Sequence, residues 1–281
     1  MILEVKNLTV KNVFSNVFLS VGEGEIINIV SQDVNALDVL AKSFIGLVNA
    51  SGDIKLFDHP KNKALTKAKE FIGYTSTLKY KVNHKAIDYL KLTQKFYKAD
   101  YLDRIKSLAE SFEINLDKKM VDLTAHEKNV IAIIKAILHN PKLVILNNIL
   151  DSLDSKALSD LCDVMALMQK NGTSFIVTSQ SLKIDFCDKA YILNDSLKEY
   201  NDLKNIFKLE FSYTKDFSGS ALKNTPFLNL LISNKQISFI VSSNIDEAIK
   251  YVSSLKPSYL TIKRPYIGEI FSESLPITEW D

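Results

Sequence analysis

Apolar and polar residues alternate from Ile2 to Val10 and again from Phe14 to Val21, the period of strands with one buried face. Gly22-Glu23-Gly24-Glu25 supplies a turn after them. Ile26 to Val30 is almost continuously apolar, which predicts a strand covered on both faces. After the loop Ser31 to Asn35, the residues Leu37, Leu40, Ala41, Phe44, Ile45 and Val48 recur at steps of three and four and predict a helix over about 36–48. Strands return at Gly52–Phe57 and Phe71–Thr75. The lysine-rich stretch Lys61–Lys69 between them reads as a solvated helix or loop, with a membrane-surface role as the alternative. From Lys85 to Ile114 the spacing is helical throughout (Ala86, Tyr89, Leu92, Phe96, then Leu102, Ile105, Leu108, Phe112), an insertion of two or three helices without a strand.

Leu123 to Asp154 is the stretch the rest is organised around. A polar opening, Thr124 to Asn129, runs into apolar Val130 to Leu138, and His139-Asn140-Pro141 breaks the helix. Leu143 to Leu146 is a short buried strand ending on Asn147 and Asn148, followed by Asp151-Ser152-Leu153-Asp154. In open α/β sheets ligands bind at the carboxyl ends of strands, so these polar residues are site candidates. Ser155–Lys170 is an amphipathic helix ended by Asn171-Gly172, and Phe175–Thr178 and Ala190–Leu193 are buried strands. Composition changes near residue 205. Beyond it the spacing predicts strand Leu209–Tyr213, helix over about Ser220–Leu231, strand Ile237–Val241, helix Asp246–Leu255 and strand Tyr259–Ile262. The domains expected are therefore 1–205, with a helical subdomain over about 83–122, and a small α+β unit over 206–281.

Length and composition narrow the class. The chain has 281 residues, 46% of them hydrophobic, and is long enough for a sizeable core. Net charge is +2, and the cations are almost all lysine, Arg104 and Arg264 being the only arginines. Neither a global field nor guanidinium forks argue for nucleic acid. Cys162 and Cys187 stand in separate apolar contexts and read as buried free thiols of a reducing compartment, with a disulfide as the alternative. The first ten residues alternate like a strand rather than a signal peptide, and no apolar run approaches the ~20 residues of a membrane helix. A cytoplasmic protein is expected. No Cys, His or acid stands at metal spacing from His126, which reads as a surface or interface histidine, and His59, His84 and His139 lie in polar turns and read as solvated.

The order of elements, with NVFLSVGEGEIINIV before the first loop, FIGY at Phe71–Tyr74, Leu123–Asp154, and GTSFIVTSQ at Gly172–Gln180 followed by Cys187-Asp188-Lys189, resembles the nucleotide-binding subunit of an ABC transporter over about residues 1–200. The C-terminal unit, ending in IGEIF at Ile267–Phe271, is similar to the appended domain of ABC-2-type export ATPases. The resemblance implies an α/β, P-loop NTPase-like ABC nucleotide-binding domain with a helical insertion, plus a small C-terminal α+β domain.

The chemistry that the family's motifs need is altered at every station but one. The phosphate loop G-x-x-x-x-G-K-[ST] falls on Ser31-Gln32-Asp33-Val34-Asn35-Ala36-Leu37-Asp38. Its glycines let backbone N–H groups wrap the phosphates, its lysine neutralises them and its hydroxyl holds Mg²⁺. Val34 is β-branched where glycine permits positive φ, Leu37 cannot neutralise a triphosphate, and Asp38 repels one. Asp38 reads either as a built-in phosphate mimic at the helix start or as an ordinary first-turn acid, and Asp33 reads as N-cap. The Mg²⁺-binding Asp and catalytic Glu of the family correspond to Asn147 and Asn148. An amide cannot act as a general base, and these two read as satisfying strand-end backbone groups. The switch histidine corresponds to Ser179 and the Q-loop glutamine to Thr77. The signature L-S-G-G-Q reads Leu123-Thr124-Ala125-His126-Glu127. Phe14 is the nearest counterpart of the adenine-stacking aromatic. Ser152-Leu153-Asp154 keeps the form of the D-loop that crosses the family's dimer interface, or Asp154 simply caps the next helix. Phe96 and Tyr97 occupy a place resembling the groove for the permease's coupling helix, or else core.

The resemblance so altered implies a pseudo-ATPase subunit. No catalytic residue and no resident cofactor are expected (ATP and Mg²⁺ only if the family activity survives), and no metal. It would pair with a motif-intact ABC ATPase and an integral membrane permease of an export complex, peripheral at the inner face of the cell membrane. Alternatives are a free-standing ABC-fold regulatory module and a residual ATP-binding ATPase.

Overall fold

The computed structural model describes residues 1–60, 69–76, 83–97, 99–180, 187–199, 206–213, 217–218, 227–233, 235–241 and 244–263. The expectations at 61–68, Thr77 and Ile267–Phe271 lie outside them. The chain divides into two compact units, Met1–Glu199 and Tyr200–Asp281.

In the first unit, β1 (Leu3–Val10) and β2 (Phe14–Val21) form an antiparallel hairpin that leads into β3 (Ile26–Val30), all five residues of which are buried. Helix α1 (Val34–Phe44) follows. It starts two residues before the predicted Ala36, because the Asp33 side chain caps it. It ends at Phe44, with Ile45 as C-cap, rather than at Val48, because Gly46 takes φ +74°, the usual stop for a helix. Strands β4 (Ser51–Leu56) and β5 (His59–Pro60) then complete an antiparallel sheet in the order β2-β1-β4-β5.

β6 (Ile72–Ser76) joins a second sheet, and the helical insertion follows as α2 (Ala86–Tyr97) and α3 (Leu102–Ser111). Backbone bonds zip the insertion's entry to its exit: Ala86 N to Lys118 O at 2.9 Å, Ile87 N to Leu116 O at 3.0 Å and Met120 N to His84 O at 2.8 Å. Next come α4 (Ala125–Ile137), β7 (Leu143–Asn147), α5 (Ser155–Lys170), β8 (Ser174–Ser179), β9 (Lys189–Leu193) and β10 (Leu197–Glu199). The second sheet runs β10-β9-β3-β8-β7-β6 and is parallel except for β10. Every residue of β7 and β8 is buried, as expected of parallel strands covered on both faces. One apolar cluster joins the antiparallel sheet (Val5, Leu8, Val17, Leu19) to α1 (Leu37, Leu40, Phe44) and to the parallel sheet (Ile29, Ile145, Ile176). Helix α1 is thereby clamped between the two sheets, and its N-terminus lies at the carboxyl end of β3.

The second unit is an antiparallel sheet, β12-β13-β11-β14, built from β11 (Phe207–Ser212), β12 (Phe227–Ile232), β13 (Gln236–Val241) and β14 (Leu260–Lys263), with α6 (Ile245–Ser254) on one face. Phe211, Phe239, Ala248 and Val252 form its core. The helix predicted over about Ser220–Leu231 is corrected: its described part, from Phe227, is the strand β12, paired with β13. Phe227–Ile232 is short enough to fit either period, and Pro226 before it disfavours a continuing helix.

Candidate functional site

The polar residues at the carboxyl ends of β3, β7 and β8 converge on the start of α1. Asp33 Oδ1 accepts from the backbone N–H of Asn35 at 2.9 Å and of Ala36 at 3.0 Å. Leu37 N donates to the Asp33 carbonyl at 3.1 Å. None of residues 31–38 takes positive φ. Where the family's loop would wrap phosphate, this chain has a capped helix already turning at Val34. Its first-turn donors, the groups that make a helix N-terminus an anion site, are held by the chain's own carboxylate. Leu37, at the lysine position, is 0% exposed and belongs to the core.

Asp38 is corrected from a first-turn acid to a second-turn residue, since α1 begins at Val34. One carboxylate oxygen pairs with Lys42 at 2.5 Å, and the other accepts from Asn147 Nδ2 at 2.8 Å. The same amide nitrogen donates to the Tyr74 hydroxyl at 3.0 Å, while Asn147 Oδ1 accepts from the Thr178 hydroxyl at 2.8 Å. The amide orientation is forced by these partners, since a carboxylate needs the N–H side. Asn147 is 2% exposed, and its donors are satisfied by side chains, not by the strand-end backbone groups expected from the sequence. Burial raises the Tyr74 phenol above its ordinary range, and the pair with Asp38 raises Lys42.

Asn148 turns out of β7 with φ +49°, its N–H donating to Thr178, and its side-chain Oδ1 is buried without a hydrogen-bond partner among the described residues. Ser179 is fully buried and its hydroxyl donates to Asn28 Oδ1 at 3.3 Å. The structure thus brings Asp38, Asn147 and Asn148 together, with Ser31 tied to Ser179 by a backbone bond of 3.3 Å. A shallow cleft of about 260 Å³ opens beside Asp33, walled by Val13, Gln32, Asn194 and Asp195. Phe14 is not in that wall but buried in the core. Two acids and two amides stand in the cleft's lining, and Asp38 and Asn147 bond directly to each other.

The second group of candidates is occupied by local structure. Thr124 caps α4, accepting from Glu127 N at 3.1 Å while Glu127 Oε2 accepts from Thr124 N at 2.8 Å, a reciprocal capping box. Lys118 pairs with Glu127 at 2.8 Å and, ahead of the Thr124 contacts, lowers its carboxyl below the ordinary range. Ala125 and His126 form the first turn of α4. His126 Nε2 lies 3.5 Å from Asp154, whose other oxygen caps α5 by accepting from Ala157 N at 2.8 Å. Ser152 accepts from Asn129 Nδ2 at 2.6 Å and donates to the Ile149 carbonyl at 2.6 Å, and Leu153 is buried. The sequence reading missed Asn129, Tyr74, Thr178 and Lys42 as partners. The polar Asn129 on the buried face of an apolar helix was the one legible signal among them.

Elsewhere, Phe96 is corrected from core to surface, being 82% exposed beside Leu92 at 43%. His139 is corrected from solvated to half-buried: it stacks on Tyr97, and its ring nitrogens are covered. Cys187 is buried and Cys162, read from the sequence as buried too, is corrected to half-buried; the two are not joined in a disulfide. Among the described residues, no helix is long and apolar enough to cross a membrane.

No family model matches the chain. It is 23% identical over 278 residues to the energy-coupling factor transporter ATP-binding protein EcfA1 of Mycoplasma mycoides subsp. mycoides, covering 89% of this chain and 65% of that protein. It is 23% identical over 222 residues to the galactose/methyl galactoside import ATP-binding protein MglA of Treponema denticola, covering 69% of this chain and 43% of the relative. The chain therefore spans less than two thirds of the length of these relatives. Among solved structures, an ATP-binding subunit of an ABC transporter superimposes with a TM-score of 0.64 at 21% identity, over 73% of this chain and 92% of that one. A dimeric ATP-binding cassette in a post-hydrolysis state, bound to ADP and Pi, gives 0.62 at 18% identity over 71% and 98%. Sequence relatives and solved structures support the same scaffold: this chain has the fold of the ATP-binding domain of ABC transporters.

Proposed function

We propose that the protein is a non-catalytic ABC-type subunit that keeps the cassette for its shape. It seats a membrane permease beside a second, motif-intact ATPase subunit, peripheral at the inner face of the membrane. The observation that carries this reading is the direct bond from Asn147 to Asp38. In a hydrolase of this plan those two positions face a magnesium ion. Here one is a donor and the other an acceptor, and together with the self-capped α1 they occupy the room and the donors that a metal–triphosphate would use. Asn148 has no basicity to offer an attacking water.

Support for a partner role comes from the surface of α2, where Leu92 and Phe96 stand exposed beside Lys91 and Lys95. The sequence resemblance is to export ATPases, whereas the relatives are named for energy coupling and import.

Two measurements test the reading. Calorimetric titration of the purified chain with Mg-ATP should give no saturable isotherm up to millimolar concentration, and a turnover assay should stay at background. Affinity purification from the native host should recover an ATPase with full motifs and a membrane permease, and Phe96→Ala with Leu92→Ala should lose the permease. Recovery of the chain alone sinks the transporter role and leaves a free-standing module. Turnover abolished by changing Asn148 sinks the non-catalytic one.

A further inference from the structure

The corner where α4 ends is packed against the tip of the helical insertion by groups that the proposed role does not use. Tyr97, the last residue of α2, stacks on His139 with ring centroids 4.1 Å apart and planes within 11°. Tyr101, in the turn leading to α3, meets Tyr97 edge-on at 6.5 Å. Arg104, in the first turn of α3, donates Nη2 to the carbonyl of Ile137, the last residue of α4, at 3.2 Å. Among the described residues, both ring nitrogens of His139 and the Nε of Arg104 are buried without hydrogen-bond partners. Lys135 to the Tyr89 hydroxyl, at 3.3 Å, is a further polar tie between α2 and α4.

A neutral imidazole suits this corner. A protonated one would bring a charge and two N–H donors into a buried place where the Ile72 backbone alone favours the charged form and which already holds a guanidinium. We propose that the Tyr97–His139 stack is an acid-released latch: His139 takes up a proton only when the tip of the α2–α3 pair lifts off the α4 corner.

The groups around His139 are Tyr97 from α2, Tyr101 from the connecting turn, Arg104 from α3 and the Ile72 backbone from β6. The one carboxylate among the described groups at this corner, Glu70, acts on Tyr97. Burial pushes the imidazole down from 6.5 to about 4; the Ile72 backbone opposes this and the Arg104 charge adds to it. The sign follows. Between those values the opened form binds a proton that the closed form refuses, so opening grows about tenfold for each pH unit lost below the ordinary value. From pH 7.5 to pH 5 the rise is roughly 25-fold.

Amide hydrogen exchange of the full chain at pH 7.5, 6 and 5 tests this, with His139→Phe and His139→Gln run at the same pH so that the intrinsic pH dependence of exchange cancels. The expected result is that segments across Ala86–Ser111 lose protection in the wild type on acidification, by roughly 25-fold more than in either variant, while β3, β7 and β8 keep theirs. Phe retains the stack and neither replacement titrates, so whichever variant folds suffices. An equal pH response in wild type and variant overturns the latch. So does equal loss of protection in the core strands, which marks global rather than local opening.

Discussion

The side-chain amide of Asn147 donates to Asp38 Oδ1 across 2.8 Å, and each of the two residues accounts for the other. An aspartate at 147 would set two acceptors against each other in a buried place, and a serine at 38 would leave room for something between them. Asn147→Asp is therefore expected to destabilise the fold by roughly 2–4 kcal/mol at neutral pH. Asp38→Ser combined with Asn147→Asp should recover about 1–3 kcal/mol of that as a coupling term. Urea unfolding of the two single variants and the double variant closes the cycle; strictly additive effects would show that the bond contributes nothing.

Leu37 belongs to the core, although the sequence resemblance would place a lysine at its position. Leu37→Ala should cost about 2–5 kcal/mol, the range for a buried leucine. Leu37→Lys should not create nucleotide binding, because its ammonium would start from a fully buried position under a helix whose first-turn donors Asp33 already holds. Thermal unfolding and ATP titration of the variant read the two effects separately, and a Leu37→Lys protein of unchanged stability that binds ATP would refute this placement.

Gly73 of β6 leaves no space for a side chain, since a Cβ there would run into the backbone carbonyl of Ala136 in α4. Gly73→Ala should therefore cost about 1–3 kcal/mol by forcing α4 away from the sheet edge. A wild-type unfolding midpoint for this variant would mean that the contact gives way freely.

Glu127 titrates below its ordinary range because Lys118 and the Thr124 cap favour its charged form. The folded value is depressed, so its contribution is present above about pH 4.5 and is lost as pH falls through the folded value. The stability gap between wild type and Glu127→Gln should be widest near neutrality and close on acidification toward pH 3. A gap independent of pH would assign the effect to the cap hydrogen bond alone. Thr124→Ala, which removes the cap itself, should cost about 1 kcal/mol near neutrality.

Much of the scaffold was readable from residue order. The continuous apolar runs Ile26–Val30 and Leu143–Leu146 specify doubly covered strands, because only a buried strand tolerates apolar residues on both of its faces. Asp33, Thr124 and Asp154 each cap a helix, because a short polar side chain before an apolar-periodic run satisfies orphan N–H groups of the next turn. The strand at Phe227–Ile232 was not legible, because a six-residue apolar run fits a buried helix as well as a sheet and pairing with β13 decides.

Leu123 to Asp154 shows where the boundary lies. The sequence by itself determined that a helix feeds a buried strand there, and that amides stand where the resemblance would place acids, since both are properties of order and residue type. It could not say what the amides do. Asn147 is separated from Asp38 by 109 positions and from Tyr74 by 73, and their bonds exist only because α1, β6 and β7 are packed side by side. The same holds for His139, which lies in a polar turn by sequence and against the ring of Tyr97 in space. Local spacing fixes the elements, because it acts through backbone geometry within a few residues. The partners of a polar side chain are fixed by which elements the core brings together, and that is a property of the folded chain alone.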